Sequence, residues 1–326
     1  MHLPMNSLVL IATTIYQAIA TWIEDKQSPP GQLIDIGGYK LHLYTIGDST
    51  PTVILDHSLG GIEGYLLIEE IAKIARVCIY DRAGYGWSER SPHQRSSEQI
   101  VKELDTLLNN AGIEPPYILV GDSFGSYNVR LYTHKYPEKV IGMVLTDGLH
   151  ESRMLNMPLS LTVLKLFFAS GFLMSIFGSI LGIIRLLKNI QVFEFLKPEL
   201  RKFSPDNLNS IKRSFCRAKH WITMAQEILT IDISARQVSK ANQFGNLPIV
   251  SINAGSFFKP SIWTFALPLK AANQLREKMH AELLKLSSDC IQLQAPESDH
   301  FVWIDSPEVI LNAIEIILNK VDYKNQ

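Results

Sequence analysis

Gly121-Asp122-Ser123-Phe124-Gly125 has the spacing G-x-S-x-G, with an apolar run before it at Tyr117–Gly121 and a helical pattern after it at Phe124–Tyr136. A serine on a tight strand-to-helix turn suits nucleophilic acyl transfer. Flanking glycines let the backbone bend without a Cβ clash. The hydroxyl is lifted to a helix N-terminus, where free N–H groups and the helix dipole favour developing negative charge. The plainer alternative is a glycine-rich turn carrying an idle serine.

A serine at neutral pH needs a base. A nucleophile on this kind of turn is followed along the chain by Asp or Glu and then by His. His300 fits the base: it follows the apolar run Cys290–Gln294 and precedes a helix begun at Ser306-Pro307-Glu308. His134 and His280 fall within helical patterns, His220 falls in a segment without strands, and His150 is a distant second choice. The orienting acid would commonly follow the run Pro248–Asn253, yet Ala254–Arg276 contains no Asp or Glu, and Glu277 sits inside a predicted helix. Asp147 ends the run Val140–Thr146 and so projects from the carboxyl edge of a sheet, where catalytic groups collect. It is the candidate acid, with helix capping as its alternative role. Asp299 is too close in sequence to His300 to orient that ring. Two backbone donors are needed for an oxyanion; the candidates are the N–H groups of Phe124 and Leu59, the latter in His57-Ser58-Leu59-Gly60-Gly61. His57 precedes the nucleophile and is expected to be structural or pocket-lining.

These residues require a scaffold. Gln32–Ile36 and Lys40–Ile46 flank Gly37-Gly38 as a hairpin. Strands are predicted at Thr52–His57, Arg76–Asp81, Tyr117–Gly121 and Val140–Thr146, and helices at Glu63–Ala75, Ser97–Ala111 and Phe124–Tyr136. The alternation implies parallel βαβ units with both sheet faces covered. It stops over Glu151–Phe244, which reads as several helices. It resumes with a strand at Pro248–Asn253, a helix at Leu269–Leu286, a strand at Cys290–Gln294 and a last helix at Pro307–Leu318. The expected organisation is an N-terminal apolar helix and linker (1–30), an α/β core (31–150 and 245–326) and a helical cap (151–244).

At this point the chain resembles the α/β-hydrolase superfamily. The resemblance rests on Asp56-His57-Ser58-Leu59-Gly60-Gly61, on Tyr80-Asp81-Arg82-Ala83-Gly84-Tyr85-Gly86-Trp87-Ser88, on Gly121–Gly125, and on Ser298-Asp299-His300 ahead of Asp305-Ser306-Pro307-Glu308. It implies structural roles for Asp81 and Arg82 and a cap that shapes the substrate pocket. Pro29-Pro30-Gly31-Gln32-Leu33 behind an apolar helix is similar to a bacterial subgroup of membrane-associated hydrolases. Three positions depart from the pattern: Ser58 and Ser126 replace usual glycines, and Asp122 stands where His is frequent. An acid beside the nucleophile is expected to penalise a charged intermediate.

The net charge of −1 argues against a general nucleic-acid binder. Cys78, Cys216 and Cys290 are too sparse for a disulfide framework or a zinc site, and the expected chemistry calls for no metal or cofactor. The hydrophobic content is 46%, and two conspicuous pools of the apolar surplus stand out. Met5–Ile23 has no charged side chain, and reads as a membrane anchor, a cleaved signal peptide or a soluble helix packed on the domain. Leu166–Ile184 is also uncharged. It lies between two strands of one sheet, so it cannot span a bilayer; it is a buried cap helix or an amphiphilic one lying on the membrane. Basic residues from Arg185 to Lys219 follow it and suit either an anionic membrane surface or solvated helix faces. The expected activity is hydrolysis of an apolar ester. An aminopeptidase, amidase or C–C hydrolase is the alternative, and a catalytically silent ligand-binding protein is a third reading. Partners are an apolar ester or lipid and a membrane.

Overall fold

A computed structural model describes residues 5–259 and 267–324. Part of the acid-free segment after Asn253, residues 260–266, therefore lies outside the described residues.

Eight strands form one sheet in the order β1-β2-β4-β3-β5-β6-β7-β8. They are β1 (Gln32–Asp35), β2 (Lys40–Ile46), β3 (Thr52–Asp56), β4 (Arg76–Asp81), β5 (Tyr117–Asp122), β6 (Val140–Thr146), β7 (Ile249–Ala254) and β8 (Cys290–Ala295). The first two are antiparallel, joined by the predicted hairpin; Gly37 and Gly38 take φ of +107° and +101° there, and both amides bond to Asp35. From β4 to β8 every neighbouring pair is parallel. Central strands of such a sheet are covered on both faces, which is why β3 and β5 read as unbroken apolar runs and are fully buried.

The N-terminal helix is α1 (Met5–Glu24). The layers over the sheet include α2 (Gly64–Ile71), α3 (Ser97–Asn110), α4 (Gly125–Lys135), α12 (Leu269–Leu283), α13 (Val302–Asp305) and α14 (Pro307–Lys324). Between β6 and β7 the chain forms α5 (Glu151–Met154), α6 (Leu159–Ile180), α7 (Ile183–Asn189), α8 (Val192–Leu196), α9 (Pro205–Phe215), α10 (Ala218–Leu229) and α11 (Ile231–Val238). Two apolar cores result, one on each face of the sheet, with Leu119, Leu145 and Tyr127 in one and Val120, Val144 and Trp303 in the other. The alternation of residues along β5 and β6 between these cores is the period-2 signature of a strand covered on both sides.

The larger boundary shifts are at helix ends, and the helix expected over Leu269–Leu286 ends at Leu283. The helix expected over Glu63–Ala75 ends at Ile71, and Ala72–Ala75 continue as hydrogen-bonded turns. The last helix runs six residues beyond Leu318, and the short α13 before it was not predicted.

Candidate active site

Ser123 sits between β5 and α4 with φ of +49°, a left-handed conformation unusual for a residue with a side chain. The two glycines of the motif explain how the turn is held so tight. A Cβ at Gly121 would lie 2.7 Å from both Gly125 O and Val129 Cγ2. One at Gly125 would lie 2.8 Å from His57 O and closer still to Asp56 O. Helix α4 is thus packed against the end of β3 at a distance only glycine allows. Ser126, where the family pattern has glycine, fastens the turn: its hydroxyl donates to Ser123 O (2.6 Å) and accepts from Leu149 N (2.9 Å).

The loop after β8 brings His300 to Ser123. Its Nε2 lies 2.8 Å from Ser123 Oγ, and its Nδ1 bonds to Asp147 Oδ2. With a carboxylate beside Nδ1, the ring proton belongs there, which leaves the Nε2 lone pair facing the serine hydroxyl. Asp305, on α13, steadies the loop by accepting from Asp299 N (3.1 Å), and Lys197 bridges Asp299 and Asp305. Asp299 instead accepts from Phe301 N and makes no bond to the His300 ring.

Asp147 is buried at the end of β6 with φ of +42°, its amide bonded to Ile252 O (2.8 Å). Its carboxylate is surrounded. Besides His300, it bonds to Arg276 Nε and Nη2, to His280 Nε2 (3.0 Å) and to Ala254 N (3.4 Å). Burial alone would raise its pKa; His300, His280 and Arg276 together outweigh burial and hold the carboxyl well below the usual range. Sequence reasoning set His280 aside as a mid-helix residue and did not single out Arg276. The available signal was their i,i+4 spacing, which places both on one face of α12.

The loop Ser58–Gly61 faces the same place. Arg82 is buried and donates to Asp56 Oδ1 (2.8 Å), His57 O (2.6 Å) and Ser58 O (2.7 Å); Glu227 of α10 takes its remaining edge. Across a trans peptide the N–H points opposite to the C=O. Fixing Ser58 O on Arg82 therefore turns Leu59 N–H the other way, toward the cavity that Leu59 lines with Ser123 and Phe124. Among the described residues neither Leu59 N–H nor Phe124 N–H has a hydrogen-bond partner in the protein. His57 does not reach Ser123. It bridges Tyr80 O and Gly64 N, and burial, with Arg82 nearby, pushes its pKa down to about 3, as befits a neutral structural imidazole.

The Asp122 side chain is buried, and burial, then Glu63 and Asp147, push its carboxyl well above the usual range. That direction opposes a negative charge beside Ser123 and so lessens the expected penalty.

Ser123 and His300 open into a cavity of about 340 Å³ whose walls are mainly apolar. Leu161, Leu164 and Phe168 of α6 form one side, Met224 and Ile228 of α10 another, and Phe257 and Phe301 flank His300. Arg276 and Lys165 are the cations at its walls, and Lys165 pairs with Asp232 (2.9 Å). A serine with an aligned imidazole, two free amides nearby and greasy walls can attack an apolar acyl group.

Residues 51–175 match the family described as the alpha/beta hydrolase fold. The chain has the α/β-hydrolase fold. It is similar to the Bacillus subtilis protein YqjL, at 26% identity over 72% of the chain and 70% of that protein. It is 33% identical to a mouse (lyso)-N-acylphosphatidylethanolamine lipase, over 31% of the chain and 30% of the lipase. Among solved structures, epoxide hydrolase CorEH superposes with a TM-score of 0.66 at 14% identity, covering 89% of this chain and 98% of that one; at that identity the likeness is one of fold.

Proposed function

We propose that this protein is a serine hydrolase that cleaves an apolar carboxylic ester through an acyl-enzyme. The observation that carries the reading is the hydrogen-bonded series Ser123–His300–Asp147 at the mouth of an apolar cavity. Ser123 Oγ attacks the ester carbonyl as His300 Nε2 takes its proton. Asp147 keeps Nδ1 protonated and stabilises the imidazolium. The Phe124 and Leu59 amides receive the oxyanion. His300 then gives the proton to the leaving alcohol, and water repeats the sequence to release the acid. These steps use no metal or cofactor.

An aminopeptidase would be expected to offer a carboxylate to the substrate amine. The acid on the cavity wall is Asp147, already committed to His300, His280 and Arg276. A panel of acyl esters and aminoacyl amides separates the readings. Ester hydrolysis that disappears in His300→Ala is expected; amide turnover exceeding ester turnover, or hydrolysis independent of His300, would overturn the proposal. Membrane association through the N-terminal helix is part of it: α1 is apolar and long enough to cross a bilayer.

A further inference from the structure

The N-terminal helix is amphipathic in the reverse of the usual sense. A helix on a water-soluble domain turns its apolar stripe inward. In α1 the polar residues face the protein. Gln17 is buried, donating to Cys216 O (2.7 Å) and accepting from Arg185 Nε (2.6 Å). Glu24, two turns on, pairs with Arg185 and Arg217. The opposite face carries Leu8, Ile15, Ile19 and Trp22, each more than half exposed. Helix α6 has two working faces. Leu161, Leu164 and Phe168 line the catalytic cavity, while Leu159, Phe167, Met174 and Phe177 are 62–78% exposed. Ile190 beyond α7 and Phe195 of α8 extend this surface. Apolar patches of this extent mark an interaction site rather than a surface left in water.

We infer that α1, α6, α7 and α8 form a platform that lies on an anionic lipid bilayer, and that the substrate is a membrane-resident lipid ester whose acyl chain enters the cavity past α6. The substrate part rests on the ester-hydrolase reading above. Two features select a bilayer over a second copy of the chain. Of the six basic residues in 159–202, Lys165, Arg185 and Lys197 pair with acids outside the segment, but Arg201 and Lys202 are exposed a few residues after the exposed Phe195 and Leu196, whereas Glu194 is buried and Glu199 half-buried. Self-pairing would bring like charges together, but anionic headgroups would neutralise them. Further, α6 is held flat along α10, whose own inner face lines the cavity, so an apolar chain leaving the bilayer meets the helix that walls the site. In this arrangement α1 lies beside α7, tied by the Gln17 and Glu24 contacts.

The test is flotation of the full chain with vesicles of phosphatidylcholine, with and without phosphatidylglycerol. Co-flotation strengthened by phosphatidylglycerol and weakened by salt is expected. Met174→Glu/Phe177→Glu, outside the cavity lining, should lower vesicle binding and hydrolysis of a vesicle-embedded long-chain ester at least about tenfold and leave turnover of a water-soluble short-chain ester unchanged. Arg201→Glu/Lys202→Glu, which leaves the apolar surface intact, should lose the preference for phosphatidylglycerol. Failure of the wild type to float, unchanged flotation of Met174→Glu/Phe177→Glu, or a dimer that this variant dissolves would overturn the inference. Flotation without hydrolysis of any ester would uphold the docking surface and refute the hydrolase reading instead.

Discussion

Gly125→Ala isolates the close approach on which the site depends. The added Cβ would lie 2.8 Å from His57 O, while ordinary contact begins near 3.4 Å, so the β3 end must retreat by about 0.6 Å there and further at Asp56. Neither neighbour is a flexible side chain; both are backbone atoms leading directly into the loop that carries Leu59. A misplacement of about 1 Å can cost on the order of 100-fold in rate. Overpacking of this kind typically destabilises by about 1–3 kcal/mol. The expected variant is therefore folded, somewhat less heat-stable, and slower in kcat by roughly 10- to 100-fold. The assay is steady-state hydrolysis of a short-chain ester beside thermal unfolding. Gly171→Ala is the control, because nothing lies within 4 Å of a Cβ there; in mid-helix it should leave kcat unchanged and stabilise by about 0.5–1 kcal/mol. Wild-type kcat in Gly125→Ala would refute the argument that α4 must touch the β3 end for the oxyanion loop to be in place.

Asp147→Asn should keep the fold by circular dichroism and lower kcat on the order of 10⁴-fold, since the amide no longer fixes the His300 tautomer; a loss under tenfold would remove Asp147 from the mechanism. Arg276→Gln withdraws a cation that helps hold Asp147 below the usual carboxylate range, so the acid limb of kcat/KM should move to higher pH, and an unmoved limb would count against it. Stability should fall as pH drops below about 6.5: His57 and His220 are buried with pKa values of about 3. Between those values the unfolded chain binds protons that the folded one does not, and each histidine contributes a loss of about 1.4 kcal/mol per pH unit. Thermal unfolding between pH 7 and pH 5 measures this, and a flat profile would mean that these imidazoles accept protons in place.

The parts of the fold most legible in the sequence were those written in local patterns. Apolar runs of strand length, the hairpin glycines and the G-x-S-x-G spacing all lie within a few residues of the structure they specify. The missing acid after β7 directed attention to Asp147, which the structure puts against His300. What was illegible depends on distant pairing. Nothing near Arg82 announces that Glu227, 145 residues later, will neutralise it. His280 looked like an ordinary helical residue because periodicity places a side chain on a face without saying what that face meets. The polar contacts of Gln17 and Glu24 with Arg185 likewise could not be read from α1 alone, whose uncharged run pointed first to an anchor and left a signal peptide and a packed helix as alternatives.

The most direct measurement is labelling of the folded wild-type chain with a fluorophosphonate, followed by mass mapping of the modified peptide. The account predicts one phosphonyl group, on Ser123, that is absent in Ser123→Ala and forms far more slowly in His300→Ala. Failure of the folded wild type to react, or modification of a different serine, would contradict it.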